Sequence, residues 1–576
     1  MTRRRTPSAG PSDPWTEALI VVAVLLGLLA SGGLLIWAVG AGLSLLTGEG
    51  SGPGVSDAWR LLLKGGLTAV WPSLAPALVL FPASFVAVGL MVAIVAVALR
   101  WVATHPRRDG FAGAGQFAEL LPGRAGWSKA RRLRSGLPGL RVRELPDADR
   151  GVPLGRIGQR GGILRATWED VILAICAPRS GKTTCLAVPA VLDAPGPVLA
   201  TSNKADLWTY TAGLRAEDTG EQVWTFDPQG ITRRPQSFVW NALDGVSTVA
   251  DARRLAGHFI QEVRRTKDAG DFWDRDAEDL LTGLLLAAAL GGFSLTQVGA
   301  WLTSTSSVQP RNILAEHGFA QLADVMTGRS QGAVETREGV YATARAAAAC
   351  LSDPAIMAWV TPSPGLALFN PARFAVSRQT LYLLSKDGAG SAAPLVAAFA
   401  DRVMLEAVAA AELAPGGRLD PPMVAVLDEA ANVCRITELP RLYSHLGSRG
   451  VVPLTILQSR SQGQRVWGEG GMAELFGAAT IKLIGAGVDE QGFAEELSKL
   501  VGEEDVLVTT RSSGGSGGTS RSSRRERVLP ADEVRALPKF TALLLATGIR
   551  PALVRLVPWM AGAHAERIRS AVEDSA

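Results

Sequence analysis

Two long stretches of the chain carry no charged side chain: the 31 residues between Glu17 and Glu49, and the 35 between Lys64 and Arg100. A bilayer core takes about 20 apolar helical residues, so the pattern predicts two transmembrane helices, near 18–46 and 75–99. Pro82 kinks the second or moves its start towards the C-terminus. The first run is too long for the apolar region of a signal peptide. Arg3, Arg4 and Arg5 precede the pair and Arg100, Arg107 and Arg108 follow it, whereas Glu49 and Asp57 balance Arg60 and Lys64 in between. This charge bias places both termini, and everything past residue 105, on the cytoplasmic side.

Beyond the anchor the pattern changes to short apolar runs that end in polar residues. Val171–Ile175 reads as a buried strand; Cys176-Ala177-Pro178-Arg179-Ser180-Gly181-Lys182-Thr183-Thr184 follows as a turn opening a helix. A strand, a turn ending in Gly-Lys-Thr and a helix form a phosphate-binding loop, with backbone N–H groups and the helix dipole facing an anion. Residues 177–184 would cradle ATP, with Lys182 on the β- and γ-phosphates and Thr183 on Mg²⁺. The leading glycine of the motif is replaced by Cys176.

A second apolar run, Met423–Leu427, delivers Asp428 and Glu429 to its end. A buried strand ending in two unpaired carboxylates is costly unless they hold something, so Asp428 is assigned to Mg²⁺ and Glu429 to the attacking water as general base. A third run, Val451–Leu457, ends in Gln458, which at the carboxyl edge of an open sheet is placed to sense a γ-phosphate.

Composition sharpens this picture. Hydrophobic residues make up 47 % and charged residues 19 %, with a mean hydropathy of +0.18, much of it from the anchor. Four scattered cysteines exclude a disulfide scaffold, and five scattered histidines argue against a histidine-built metal centre. The net charge of +4 conceals its distribution: eleven basic and three acidic residues fall between Pro122 and Arg165. Such a segment faces either anionic lipid headgroups or nucleic-acid phosphates. Residues 511–527, rich in Arg, Gly and Ser, read as a flexible basic insertion.

The stretch Val426-Leu427-Asp428-Glu429-Ala430-Ala431-Asn432, with Leu439-Pro440, Gly447–Val451 and Ile456–Ser459, resembles the TraG/TraD-type coupling proteins of type IV secretion. Thr201–Leu207, Val223–Pro228, Trp240–Leu243 and Phe272-Trp273 are similar to further elements of that family, so the likeness runs from about Asp170 to Trp559. It implies an α/β, RecA-like P-loop NTPase domain (166–270 and 356–560) with an inserted all-α domain (271–355). Before these would come the two transmembrane helices of an N-terminal anchor (1–104) and a basic membrane-proximal segment (105–165), and after them a C-terminal tail (561–576). The Leu/Ala spacing of Leu280, Leu281, Leu284 and Leu285 supports the helical insertion independently.

The resemblance further implies a homo-hexameric ATPase of the bacterial inner membrane. It would bring conjugative DNA bound to a relaxase to a type IV secretion channel and drive it through by ATP hydrolysis. An arginine finger from a neighbouring subunit would be Arg449, with Arg460 second; where the family often has a further Arg, this chain has Gly447. Ser202-Asn203 likewise replaces the acid-Pro usual before Lys204. Two readings within the fold stand beside this one: a coupling ATPase for protein effectors, and a double-stranded DNA pump like the FtsK/SpoIIIE group. A third, of another class, is a membrane platform whose bound ATP is structural.

Overall fold

The computed structural model describes parts of 37–46 and most of 110–573, apart from 138, 140, 142–143, 159–160, 265–271, 332, 389 and 512–518. The expected span 75–99 and most of 18–46 lie outside the described residues. Among the described ones no helix is long and apolar enough to cross a membrane.

The strands are β1 (Val152–Ile157), β2 (Ile163–Ala166), β3 (Ile172–Ile175), β4 (Val198–Ser202), β5 (Val223–Phe226), β6 (Phe238–Val239), β7 (Ala367–Leu368) and β8 (Thr380–Leu384). They continue as β9 (Met423–Leu427), β10 (Val451–Leu457), β11 (Ile481–Gly485), β12 (Glu503–Arg511), β13 (Thr519–Arg527), β14 (Thr541–Ala546) and β15 (Ala552–Arg555). Eleven of them form one sheet in the order β2-β1-β15-β14-β11-β3-β10-β9-β4-β8-β5. From β11 to β5 the neighbours are parallel, and from β14 to β2 they are antiparallel. Every residue of β3, β4, β8, β9 and β10 is buried. These continuous apolar runs suit parallel strands covered by helices on both faces. Crossovers that return each strand in parallel bring the ends of β3, β9 and β10 to one edge.

The inserted region is helical as expected, with helices Phe272–Leu290, Leu295–Thr303, Gln309–Glu316, Ala320–Gln331 and Val334–Ala347. Three other expectations are corrected. The sheet does not begin at 166: β1 lies before that residue and β2 ends on it, and the two extend the sheet through β15. The basic segment is therefore part of this body, and several of its charges are structural. Arg150 and Arg165 are buried; both pair with Asp147, and Arg165 also pairs with Asp193. Arg134 pairs with Asp149 and Asp420. Arg124, Arg131 and Arg132 remain exposed.

Nor is 561–576 a tail. Ala565–Glu573 is a helix that buries Ile568 and packs on the helix Asp206–Thr219, with Arg567 paired to Asp218 at 2.6 Å. The segment 511–527 is not a plain flexible insertion, because Thr519–Arg527 pairs antiparallel with Glu503–Arg511. The register opposes Glu503 to Arg527 and Asp505 to Arg525, so opposite charges face one another at the base of the ribbon.

Helix Ala393–Leu413 docks on helix Val249–Arg264 through Asp401, which accepts from Arg254 Nη2 at 2.6 Å and lies 3.1 Å from His258 Nε2. Burial pushes the Asp401 carboxyl up, but hydrogen bonds from Arg254 and His258 outweigh it and hold the carboxyl down at about 2. A carboxyl depressed in the folded state stabilises fully above its unfolded value near 4 and loses that contribution as pH falls to about 2. The ion pair is expected to contribute about 2 kcal/mol at neutral pH. Urea unfolding between pH 5 and 2 checks this: Asp401→Asn should flatten the fall in stability across that window, and an unchanged slope contradicts it.

Candidate nucleotide site

The loop after β3 is shaped by contacts that leave no room for larger residues. Cys176 N–H donates to Leu457 O at 2.9 Å, which ties the loop to the end of β10. Gly181 has φ +96°, and a Cβ there would lie 2.6 Å from a ring carbon of Phe540. Cys176, where the motif usually has glycine, fits because its thiol lies against Gly485, where an added Cβ would meet Sγ at 2.6 Å. Burial pushes that thiol up to about 12, so Cys176 packs as a neutral group. After the loop, Thr183–Ala187 forms a π turn before the helix Val188–Leu192. Pro189 lacks the N–H that an α ladder needs at this point, and the wider turn accommodates it.

The predicted residues come together here. Thr183 Oγ1 donates to Asp428 Oδ2 at 2.8 Å, and Lys182 is paired with Glu429. Gln458 Nε2 and Asn432 Nδ2 both donate to Glu429 Oε2, the latter at 2.8 Å. Glu429 itself has φ +56°, a strained pose for a residue with a side chain, of the kind that concentrates at functional sites. Ala177 is half-buried, Pro178 and Arg179 are exposed, and Thr184 Oγ1 caps Gly181 O at 3.0 Å.

Two observations fit a phosphate and a divalent cation. Ser180 is buried and its Oγ has no hydrogen-bond partner, an orphaned polar group in a loop built for anions. Burial lifts the Asp428 carboxyl to about 6, against Lys182 and the Thr183 hydrogen bond; Glu429 and Asp206 push it further up. A divalent cation beside Asp428 would relieve that cost. Among the described residues no cluster of three His, Cys, Asp or Glu exists to cage a metal.

The two arginines are placed differently. Arg449 precedes β10, at the opposite end of that strand from Gln458, and its guanidinium meets Glu412 and Gly417 O, both at 3.3 Å. It does not join the site within one chain. Arg460 follows Gln458 at the site's edge, paired with Glu496 and lying over the Phe493 ring at 5.1 Å.

Sequence reading missed Asn432 and Gln462. Gln462 Nε2 donates to Asn432 Oδ1 at 2.6 Å and its Oε1 accepts from Gln458 N at 3.0 Å, closing a ring around Glu429. The available signal was spacing: Asn432 and Gln462 stand three and four residues beyond Glu429 and Gln458, about one helical turn.

Residues 422–539 match a family model described as the TraM recognition site of TraD and TraG. A conjugal transfer protein TraG of Escherichia coli is 28 % identical over 193 residues, 31 % of this chain and 30 % of the relative. A second TraG from the same organism is 28 % identical over 189 residues, 30 % of this chain and 28 % of the relative. The chain thus spans under a third of the length of these relatives. Among solved structures, the unbound monoclinic form of the bacterial conjugative coupling protein TrwBdeltaN70 superposes with a TM-score of 0.52 at 18 % identity, covering 70 % of this chain and 88 % of that one. TrwB in complex with ADP and Mg²⁺ gives 0.51 at 17 % identity, covering 70 % and 89 %. The fold is that of the TrwB-type, RecA-like α/β proteins.

Proposed function

We propose, from the premise that this chain is a coupling protein of the TraG/TraD type, that it is a membrane-anchored ATPase. It recruits a relaxase–DNA complex to a type IV secretion channel and drives translocation as a homo-hexamer. The observation that carries the ATPase reading is the convergence of Lys182, Thr183, Asp428 and Glu429 at one sheet edge. ATP and Mg²⁺ are the cofactors this arrangement fits. TrwB has been solved with ADP and Mg²⁺ and with a non-hydrolysable ATP analogue, which supports the same choice here. The TraM-recognition description of residues 422–539 supports a relaxosome-type partner for that part of the chain.

Lys182 and Glu429 neutralise one another in a buried pair. A phosphate at the loop would draw Lys182 towards it and weaken the pairing with Glu429. Glu429 then retains Gln458 and Asn432, which hold its carboxylate towards the site while the freed oxygen accepts the proton of the attacking water. Thr183 and Asp428 are the residues that would hold Mg²⁺, which would supply charge neutralisation of the phosphates. Arg449 is the proposed finger of a neighbouring subunit, consistent with its place away from its own chain's site.

The test is the ATPase rate of the full chain in detergent with single- and double-stranded DNA over a salt series. Stimulation by DNA that fades with rising salt is expected, because phosphate contacts release counterions. ATPase activity indifferent to DNA but raised by a protein cargo would point to an effector-coupling ATPase instead. Absence of hydrolysis with retained ATP binding would leave only a recruitment platform.

A further inference from the structure

The short helix after Glu429 is clamped by one buried arginine. The Glu429 carbonyl accepts the N–H groups of Asn432 at 2.8 Å and Val433 at 3.1 Å, so the helix Ala430–Val433 hangs directly from this residue. Arg435, buried, grips that helix from its other end: Nε donates to Ala431 O at 2.9 Å and Nη2 to Asn432 O at 2.6 Å. Its Nη1 is paired with Glu262, and Nη2 lies 3.5 Å from Asp387 in the loop after β8.

Glu262 belongs to the helix Val249–Arg264, which packs along Phe272–Leu290, the first helix of the inserted domain. Arg264 pairs with Glu278 and Arg253 with Asp279, each at 2.8 Å, and both acids lie on that first helix. Ion pairs and backbone hydrogen bonds therefore run unbroken from the helical insertion to the backbone of Glu429.

This path has little slack. Glu262 is the nearer of its two carboxylates, with Asp387 at 3.5 Å, and a buried guanidinium is destabilised when its nearer partner leaves, so Arg435 follows Glu262 when that helix shifts. Three of its nitrogens hold fixed acceptors in one plane, so a displacement reaches the carbonyls of Ala431 and Asn432 undamped. At the far end stands a glutamate in a sparsely populated backbone conformation, which holds only while its surroundings impose it. A discrete, packed connection of this kind carries coupling between distant elements.

We propose that the Arg435–Glu262 pair is the strut through which the inserted helical domain sets the pose of Glu429, making both positioning residues for hydrolysis. The inference rests on the ATPase reading above. In the full chain, Glu262→Gln keeps size and one acceptor but removes the charge. Arg435→Lys keeps the charge but cannot span two carbonyls and a carboxylate. Each is expected to lower kcat about threefold to tenfold with KM for ATP and affinity for a non-hydrolysable analogue unchanged.

The double variant E262Q/R435K should lower kcat no further than the more affected single variant, because both changes break one contact, whereas independent destabilising lesions would multiply their losses. If the buried variants fail to fold, Glu278→Gln, further out on the same path, should lower kcat in the same direction by less. Wild-type kcat in the single variants overturns the strut, as does a fall in analogue affinity parallel to kcat or a double variant whose loss equals the product of the single losses. Absence of hydrolysis in the wild-type chain overturns the ATPase reading instead, and so separates the two failures.

Discussion

Glu429→Gln is expected to bind ATP normally and to hydrolyse it at least about 100-fold more slowly, because the general base is lost while the binding surface stays. The geometry makes this a clean substitution. Lys182, Ser180 and Gly181, the proposed phosphate-binding residues, do not depend on the Glu429 charge for their backbone positions; Gly181 and Ser180 are set by the loop and by Phe540. Asp428 and Thr183 keep their mutual hydrogen bond. The glutamine retains one oxygen for the donors Gln458 and Asn432, and its amide group cannot take a proton from water at neutral pH. Steady-state ATPase rates beside equilibrium binding of a fluorescent ATP analogue check the split. Near-normal turnover contradicts the assignment, and so does a loss of affinity matching the loss of rate.

The second large effect is on stability. Arg215→Ala is expected to cost about 3–5 kcal/mol, because two buried carbonyls, a half-buried one and a buried hydroxyl lose their donor at once. Arg215 sits on the helix Asp206–Thr219 and is 2 % exposed. It donates to Ala194 O at 2.7 Å, Gly196 O at 2.9 Å, Arg378 O at 3.2 Å and Thr380 Oγ1 at 3.0 Å. These acceptors lie in the turn after the phosphate-loop helix and in the lead into β8, so one side chain fastens two connections on the same side of the sheet. Burial pushes its pKa down, yet a guanidinium remains charged at neutral pH. A methionine of similar bulk should restore packing but not the donors, and so recover only part of the loss. Urea unfolding of the three proteins measures this; a loss below about 1 kcal/mol in Arg215→Ala contradicts it.

Neither Arg215 nor Arg435 announces itself in the sequence. A lone arginine on a helix reads as a surface residue, and only the return of distant segments supplies the carbonyls that bury it. The same holds for Arg150 and Arg165, which composition joins to a basic face but the fold spends on Asp147 and Asp193. Residues 511–527 fail as a loop for a related reason. Gly and Ser lower intrinsic strand preference, but Thr519–Arg527 finds its pairing partner in Glu503–Arg511, with Glu503 opposite Arg527 and Asp505 opposite Arg525 outnumbering the like pair Glu504 and Glu526. β1 and the helix Ala565–Glu573 were missed as parts of the main body because each is completed by a partner hundreds of residues away, and β2 joins the sheet only through its neighbour β1.

What the sequence determined by itself is the local machinery. The apolar runs ending at Cys176, Asp428 and Gln458 became β3, β9 and β10, and the spacing Gly181-Lys182-Thr183 put its donors at the start of a helix. These are short-range consequences: period, propensity and turn chemistry act within a dozen residues. The tertiary structure alone decided that Lys182 meets Glu429 across 247 positions, that Asn432 and Gln462 close a ring around that carboxylate, and that Arg449 stands at the other end of its strand. Parallel crossovers bring strand ends together irrespective of their distance along the chain, and burial there turns isolated polar residues into a coupled site.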